Sequence, residues 1–156
     1  MYKIYTDGSC AGNQSRANSG GWGFVVLDEQ ENEVARRSGQ EGNTTNNKME
    51  MEALKQALLY IRNYLIEQDD FKCEIFSDSA YVINCVKAQW YKNWQSNGWM
   101  TSTKRPVKNQ DYWKFFIPYF DDKRFKFSKI KGHQGHQTSH GYYNELVDKL
   151  AKGEVK

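Results

Sequence analysis

The sequence predicts an α/β domain with a partly parallel sheet. Short strand-like segments are interleaved with longer segments of helical periodicity, as in domains whose helices connect the strands of one sheet. Two strand-like segments also end in the same order of residue types, Ile-Tyr-Thr-Asp at 4–7 and Ile-Phe-Ser-Asp at 75–78. The chain has 156 residues, of which 38% are hydrophobic and 26% charged, and this is enough for one core. We therefore expect a single domain over residues 1–156.

The amino-terminal part is expected to form three strands. The first covers residues 2–9, and the second covers residues 21–28, with the sequence GWGFVVLD. A glycine-rich turn lies between them. Polar residues at 29–32 predict a hairpin that leads into a third strand near 33–40.

The longest predicted helix covers residues 46–66. Leu54, Leu58 and Ile61 recur with the 3.6-residue period of a helix, and Thr44 or Thr45 can cap its start. The remaining segments alternate between strand and helix. We expect a strand at 71–77, helices within 79–98 and 109–120, a fifth strand at 125–130 and a short amphipathic helix at 143–152.

Composition argues against several classes of protein. No apolar run approaches the roughly 18 residues that cross a bilayer, and the first ten residues do not resemble a signal peptide, so we expect a cytoplasmic protein. Cys10, Cys73 and Cys85 are odd in number and widely spaced, which argues against a disulfide framework or a cysteine-rich zinc site. The formal net charge of +3 is only mildly basic.

The repeated strand ending draws attention to two acids. If the two strands are parallel neighbours, Asp7 and Asp78 lie side by side near the carboxyl ends of the strands, where open α/β sheets place their sites. Taken singly, each is as readily a turn residue or a helix cap.

Two further acids occupy unusual helical positions. Glu50 shares a face of the long helix with apolar residues, whereas Glu52 is expected on its polar side with Lys55 and Gln56. A favourable interaction with the helix dipole accounts for an acid in the first turn, but not for one on the apolar face. Asp148 lies beside the apolar stripe of the last helix, where a solvated charge is the simpler interpretation.

Carboxylates that share a buried site need a counter-charge. Oxygen ligands suit Mg²⁺ or Mn²⁺. Two such ions about 3.5–4 Å apart can activate a water molecule and stabilise the leaving oxygen of a phosphodiester. If the four acids converge, they therefore point to metal-dependent phosphodiester hydrolysis.

Residues 79–110 contain no acidic residue. The same segment carries five cations and four large aromatic residues: Lys87, Lys92, Lys104, Arg105 and Lys108, with Trp90, Tyr91, Trp94 and Trp99. The aromatic residues could instead pack a small helical subcore. Basic charge interleaved with aromatic rings favours nucleic-acid binding.

Three histidines follow in a short polar segment. His133, His136 and His140 are spaced by three and four residues, a spacing that also occurs in zinc sites. A loop that delivers one histidine for proton transfer is the better interpretation. A polar surface loop without a chemical role is the third.

Over almost its whole length the chain resembles type 1 ribonuclease H in its bacterial form. The matching motifs are TDGSCAGN at 6–13, GGWG at 20–23, TTNNKMEMEA at 44–53, FSDSAYV at 76–82, WYKNWQSNGW and RPVKNQDYW within 90–113, KGHQGH at 131–136 and NELVDKLA at 144–151. The resemblance implies the ribonuclease H-like fold, with a mixed five-stranded sheet flanked by helices. It also implies a monomer that cleaves the RNA strand of RNA–DNA hybrids with two Mg²⁺ ions, for which Mn²⁺ can substitute, leaving 5′-phosphate and 3′-hydroxyl ends.

The resemblance also assigns residue roles. It places the metal-binding and catalytic carboxylates at Asp7, Glu50, Asp78 and Asp148, and a histidine for proton transfer or product release at His133. It assigns substrate contacts to the minor-groove residues Cys10, Asn13, Asn46 and Asn47, to the DNA-phosphate residues Thr45 and Asn109, and to Trp90 in the DNA channel, with a basic protrusion near 87–108.

The chain departs from the family pattern at three places. The loop after His133 is about five residues longer than in the common bacterial form, so an extended histidine loop is expected near 131–143, with His136 and His140 as competitors for the role of His133. Ala80 stands where many relatives carry a polar substrate contact, and the turn at 14–19 is enlarged. Two other functions stay open at this point: a module that binds hybrids without cutting them, and a related nuclease that acts on structured DNA.

Overall fold

A computed structural model describes residues 1–11, 19–130 and 139–155 of the chain. Its strands and helices, in chain order, are β1 (Tyr2–Ala11), β2 (Ser19–Leu27), β3 (Glu33–Gly42), α1 (Asn46–Tyr64), β4 (Cys73–Ser77), α2 (Ala80–Ala88), α3 (Trp90–Ser96), α4 (Gln110–Phe120), β5 (Phe125–Lys129) and α5 (Ser139–Ala151). Among the described residues, no helix is both long enough and apolar enough to cross a membrane.

The five strands form one mixed sheet in the order β3-β2-β1-β4-β5. β1 pairs antiparallel with β2 and β2 with β3, whereas β4 runs parallel to both β1 and β5. The predicted mixed five-stranded sheet is therefore confirmed. The last residue pair between β1 and β4 is Tyr5 with Phe76, so both strands approach their acids side by side.

Helices cover both faces of the sheet because side chains alternate along each strand. Ile4 and Ile75 point to the face that packs with α1, in a core that also contains Trp113 of α4. Tyr5 and Phe76 point to the opposite face, where they pack with Val147 and Leu150 of α5. Because side chains alternate along the strand, Asp7 of β1 lies on the same side of the sheet as Tyr5, which is the side that α5 covers.

Two helix boundaries come from the structure rather than from the sequence. The helices expected within 79–98 are α2 and α3, and the boundary between them, which the sequence did not locate, lies at Gln89. Its φ of 57° lies in the left-handed region that an α-helix cannot propagate through. The last helix begins at Ser139 rather than near 143. Its added first turn is held to the sheet by the ring of His140, which contacts Tyr5 and Phe76.

The expectation that Glu52 lies on a polar face is wrong. Its side chain is buried because α4 covers this side of α1. The Tyr112 hydroxyl donates a hydrogen bond to one carboxylate oxygen over 2.7 Å, and the amide of Gln56 donates to the other over 2.6 Å. Periodicity within α1 cannot show this contact, since the partner comes from another helix.

Candidate active site

Three acids from separate parts of the chain converge at one end of the sheet. Asp7 lies in β1 just beyond the residues that pair with β4, Glu50 lies in the second turn of α1, and Asp78 follows β4. Each places a carboxylate oxygen within 4.8 Å of the other two. The Asp7 side chain is only 4% exposed, and Glu50 and Asp78 are half-buried. The parallel pairing of β1 with β4 brings the two aspartates together, as the repeated strand ending predicts.

Gly8 allows α1 to approach β1 closely enough for Glu50 to join them. A Cβ atom on Gly8 would overlap the backbone of Met49 and Glu50. The Gly8 amide donates a hydrogen bond to Asp7 Oδ1 over 2.9 Å and another to Glu50 Oε1 over 3.1 Å. The Ser77 hydroxyl donates to Glu50 Oε2 over 3.4 Å. Backbone and hydroxyl donors thus orient the carboxylates.

Burial strongly perturbs the protonation of these acids. Removal from water raises the pKa of Asp7 well above its usual value, and the nearby charge of Glu50 raises it further. Removal from water also raises the pKa of Glu50. Within the described residues, neither Asp7 nor Glu50 forms an ion pair. A divalent cation would supply the missing positive charge, and an all-oxygen donor set suits Mg²⁺ or Mn²⁺.

Asp148 lies on α5 beside this trio but is not part of it. Its side chain is 38% exposed, and its Oδ2 lies 3.0 Å from the Nζ of Lys152, the residue directly after the end of α5. Its charge contributes to the raised pKa of Asp7. The structure therefore brings together three of the four predicted carboxylates, and the fourth is paired with a lysine at the edge of the site.

His140 packs against the face of the sheet that α5 covers. A 2.7 Å hydrogen bond joins its Nδ1 to the Tyr5 hydroxyl, and its ring centroid lies 4.7 Å from that of Phe76. His133 and His136 lie outside the described residues, as do Asn13 and residues 14–18 of the enlarged turn.

Several predicted substrate contacts lie where β1 ends and α1 begins. Thr45 is the N-cap of α1, and its hydroxyl accepts a hydrogen bond from the Lys48 amide over 3.2 Å. Asn46 and Asn47 follow in the first turn with exposed side chains. The Sγ of Cys10 lies 3.5 Å from the Thr44 carbonyl oxygen, which ties the end of β1 to this turn.

The other predicted contacts belong to the acid-free segment. Trp90 opens α3 and is 41% exposed, beside a groove of about 670 Å³ that Trp94 and Asn97 also line. Asn109 precedes α4 with a φ of 62°. The five cations of the segment are all exposed: Lys87, Lys92, Lys104, Arg105 and Lys108.

Three of the four aromatic residues in that segment pack in or against the core. The ring centroids of Trp94 and Trp99 lie 6.1 Å apart, and Trp94 also packs against the fully buried Trp113. Tyr91 is buried as well. These rings therefore belong to the main core and not to a separate subcore, whereas Trp90 is exposed.

The sequence reasoning missed Gly8, Ser77 and Lys152 as neighbours of the acids. Two local signals were available: Gly8 directly follows Asp7 and Ser77 directly precedes Asp78. Lys152 lies four residues after Asp148, which is the spacing at which helical ion pairs form.

Comparison with known proteins places these features in a family context. The model of the RNase H family matches residues 1–156. A curated relative from Syntrophomonas wolfei named Ribonuclease H is 41% identical over 154 residues, which are 98% of this chain and 94% of the relative. The solution structure of the PFV RNase H domain superposes with a TM-score of 0.77 at 26% identity, covering 97% of this chain and 92% of that domain. The crystal structure of LC11-RNase H1 in complex with RNA/DNA hybrid shares the fold, with a TM-score of 0.66, 24% identity and full coverage of both chains.

Proposed function

The chain belongs to the ribonuclease H family, and on this basis we propose that it hydrolyses the RNA strand of RNA–DNA hybrids with the help of divalent metal ions. The observation that carries the proposal is the convergence of Asp7, Glu50 and Asp78 where the parallel pairing of β1 with β4 ends. Asp7 and Glu50 form no ion pair among the described residues, and a metal ion would stabilise buried acids of this kind.

We propose that Asp7, Glu50 and Asp78 bind the metal and that Asp148 is the fourth ligand. Two Mg²⁺ ions, or Mn²⁺ in their place, would activate the attacking water and stabilise the leaving 3′ oxygen, which gives 5′-phosphate and 3′-hydroxyl ends. To bind the metal, the Asp148 carboxylate has to release the Lys152 ammonium group with which it is paired. Asp7 and Glu50 have to be ionised, which their raised pKa values resist until a cation is bound.

His133 is assigned proton transfer or product release. The support for this role is the family resemblance of the motif at 131–136. A histidine suits it because its ordinary pKa lies close to neutral pH. His140 is a less suitable candidate than His133, because its ring is held by Tyr5 and Phe76.

Substrate recognition is assigned to two surfaces. Cys10, Asn13, Asn46 and Asn47 would contact the minor groove, where the 2′-hydroxyl distinguishes RNA from DNA. Thr45 and Asn109 would hold a phosphate of the DNA strand, beside Trp90 in the DNA channel. The exposed cations and the open ring of Trp90 support a basic protrusion near 87–108. We propose that residues 1–156 act as one catalytic domain and as a monomer.

Cleavage of a labelled RNA–DNA hybrid with Mg²⁺, with and without EDTA, tests the proposal. Duplex DNA and single-stranded RNA are the substrate controls, and Asp78→Asn is the protein control. We expect cutting of the RNA strand of the hybrid alone, dependent on metal and absent in the variant. Tight binding without cutting would instead support a hybrid-binding module, and cutting of duplex DNA would support a different nuclease.

A further inference from the structure

The repeated strand ending contains two buried hydroxyls that take no direct part in the proposed chemistry. Thr6 directly precedes Asp7 and is 2% exposed, and Ser77 directly precedes Asp78 and is 6% exposed. Buried hydroxyls are almost always hydrogen-bonded, so their partners show what they hold in place.

Thr6 extends the connection between the two parallel strands. The paired residues of β1 and β4 end at Tyr5 and Phe76. The Thr6 hydroxyl then donates a hydrogen bond to the Phe76 carbonyl oxygen over 3.3 Å. This contact ties the strands together one residue before Asp7, beyond the last residue pair.

Ser77 joins three elements around Asp78. Its hydroxyl donates to Glu50 Oε2 over 3.4 Å and accepts a hydrogen bond from the Ser79 amide over 3.1 Å. Ser79 in turn caps α2, since its hydroxyl accepts from the Val82 amide over 3.3 Å. Asp78 therefore lies inside a turn closed by the same hydroxyl that contacts Glu50.

From these contacts we infer that Thr6 and Ser77 are positioning residues that set the separations among the carboxylates of Asp7, Glu50 and Asp78 and thereby the affinity for the metal. The inference rests on the proposed metal site. The Thr6 hydroxyl fixes the spacing of the two strands, and the Ser77 hydroxyl connects Glu50 to the turn that holds Asp78. Residues that orient metal ligands typically change metal affinity by about 10- to 100-fold when they are removed.

The test is calorimetric titration of the metal-free protein with Mn²⁺, without substrate. Thr6→Val and Ser77→Ala remove the hydroxyls, whereas Thr6→Ser and Ser77→Thr retain them. Ser128→Ala is the matched control, because its hydroxyl lies in the same sheet and donates over 2.6 Å to Oε2 of Glu74, which is not one of the three clustered acids. Thermal unfolding of each variant without metal reports its fold.

We expect Thr6→Val and Ser77→Ala to bind Mn²⁺ about tenfold more weakly. Their Mg²⁺ requirement for cleavage should rise while KM for the hybrid stays unchanged, and the hydroxyl-retaining variants should recover most of the affinity. Mn²⁺ affinity equal to that of the wild type or of Ser128→Ala would overturn the positioning role. A wild-type protein that binds no Mn²⁺ would overturn the metal site and this inference with it.

Discussion

The backbone amide of Gly8 donates a hydrogen bond to Oε1 of Glu50 over 3.1 Å at the point where β1 and α1 touch. A Cβ atom at position 8 would overlap the helix backbone at Met49 and Glu50. The approach of Glu50 to Asp7 therefore depends on the absence of a side chain between them.

Gly8→Ala should push α1 away from β1. Because Glu50 lies on α1 and Asp7 on β1, their carboxylates should move apart. We expect a fall in cleavage rate of about 100-fold, since a displacement near 1 Å can have that effect on a catalytic group. Overpacking should also lower the free energy of unfolding by about 1–3 kcal/mol. Steady-state cleavage, Mn²⁺ titration and urea unfolding measure these effects. The control is Gly98→Ala, at a glycine with a φ of 76° and open space around it, which should leave Mn²⁺ affinity unchanged. Equal Mn²⁺ affinity in both variants would contradict the explanation.

Asp7→Asn should abolish cleavage and yet stabilise the metal-free fold at neutral pH. The pKa values of Asp7 and Glu50 are raised in the folded state, so the folded protein binds more protons than the unfolded chain above about pH 4. Stability without metal should therefore fall as pH rises from about 4 through neutrality. Since one unit of pKa shift corresponds to about 1.4 kcal/mol, the variant should gain at least that much at pH 7.

Urea unfolding between pH 4.5 and 8 in EDTA measures this difference. We expect a flatter pH profile for Asp7→Asn, and we expect added Mg²⁺ to stabilise the wild type more than the variant. Identical pH profiles would show that burial does not perturb Asp7.

His140→Ala should reduce stability more than turnover. The imidazole is held by the Tyr5 hydroxyl and packs on Phe76, so its loss should lower the free energy of unfolding by about 1–3 kcal/mol. Tyr5→Phe removes the same hydrogen bond, and the double variant should lose less stability than the sum of the two single variants.

His133→Ala is expected to slow turnover more than it weakens hybrid binding. A larger effect on turnover from His136→Ala or His140→Ala would show that the histidine assignment is wrong.

Replacing two cations of the protrusion should weaken hybrid binding and should make that binding less dependent on salt. Lys104 and Arg105 are exposed and form no ion pair within the described residues. If both contact phosphates, their joint replacement by alanine should lower the slope of log affinity against log salt by about 2. KM should rise while kcat stays unchanged. Lys72→Ala changes an exposed lysine before the start of β4, at the opposite end from the acids, and should have no effect.

Tyr112→Phe should destabilise the protein because Glu52 would lose a donor while staying buried. An under-satisfied buried group lowers the free energy of unfolding by about 1–3 kcal/mol. Combining Tyr112→Phe with Glu52→Leu replaces both partners by apolar groups and should recover most of that loss. Urea unfolding of the two single variants and the double variant tests the coupling. Purely additive losses would mean that the 2.7 Å contact contributes nothing.

Much of the fold follows from local patterns. The five strands and the helix over Asn46–Tyr64 lie close to their predicted bounds, because hydrophobic period, turn residues and caps act within a few residues of one another. The pairing of Asp7 with Asp78 was also predictable, since the two strand endings match. The division at Gln89 was not, because a left-handed residue other than glycine has no strong signal in a single sequence.

The sequence by itself determined the element order, the mixed sheet and the residue types of the site, since periodicity, composition and motifs are written along the chain. Only the tertiary structure decided which side chains meet. It buried Glu52 beneath Tyr112, packed His140 against Tyr5, and placed Asp148 near Asp7. Most of these contacts join residues far apart in the chain, and all depend on how closely packed elements approach one another. Neither the approach nor its effect on carboxylate pKa values can be read from local spacing.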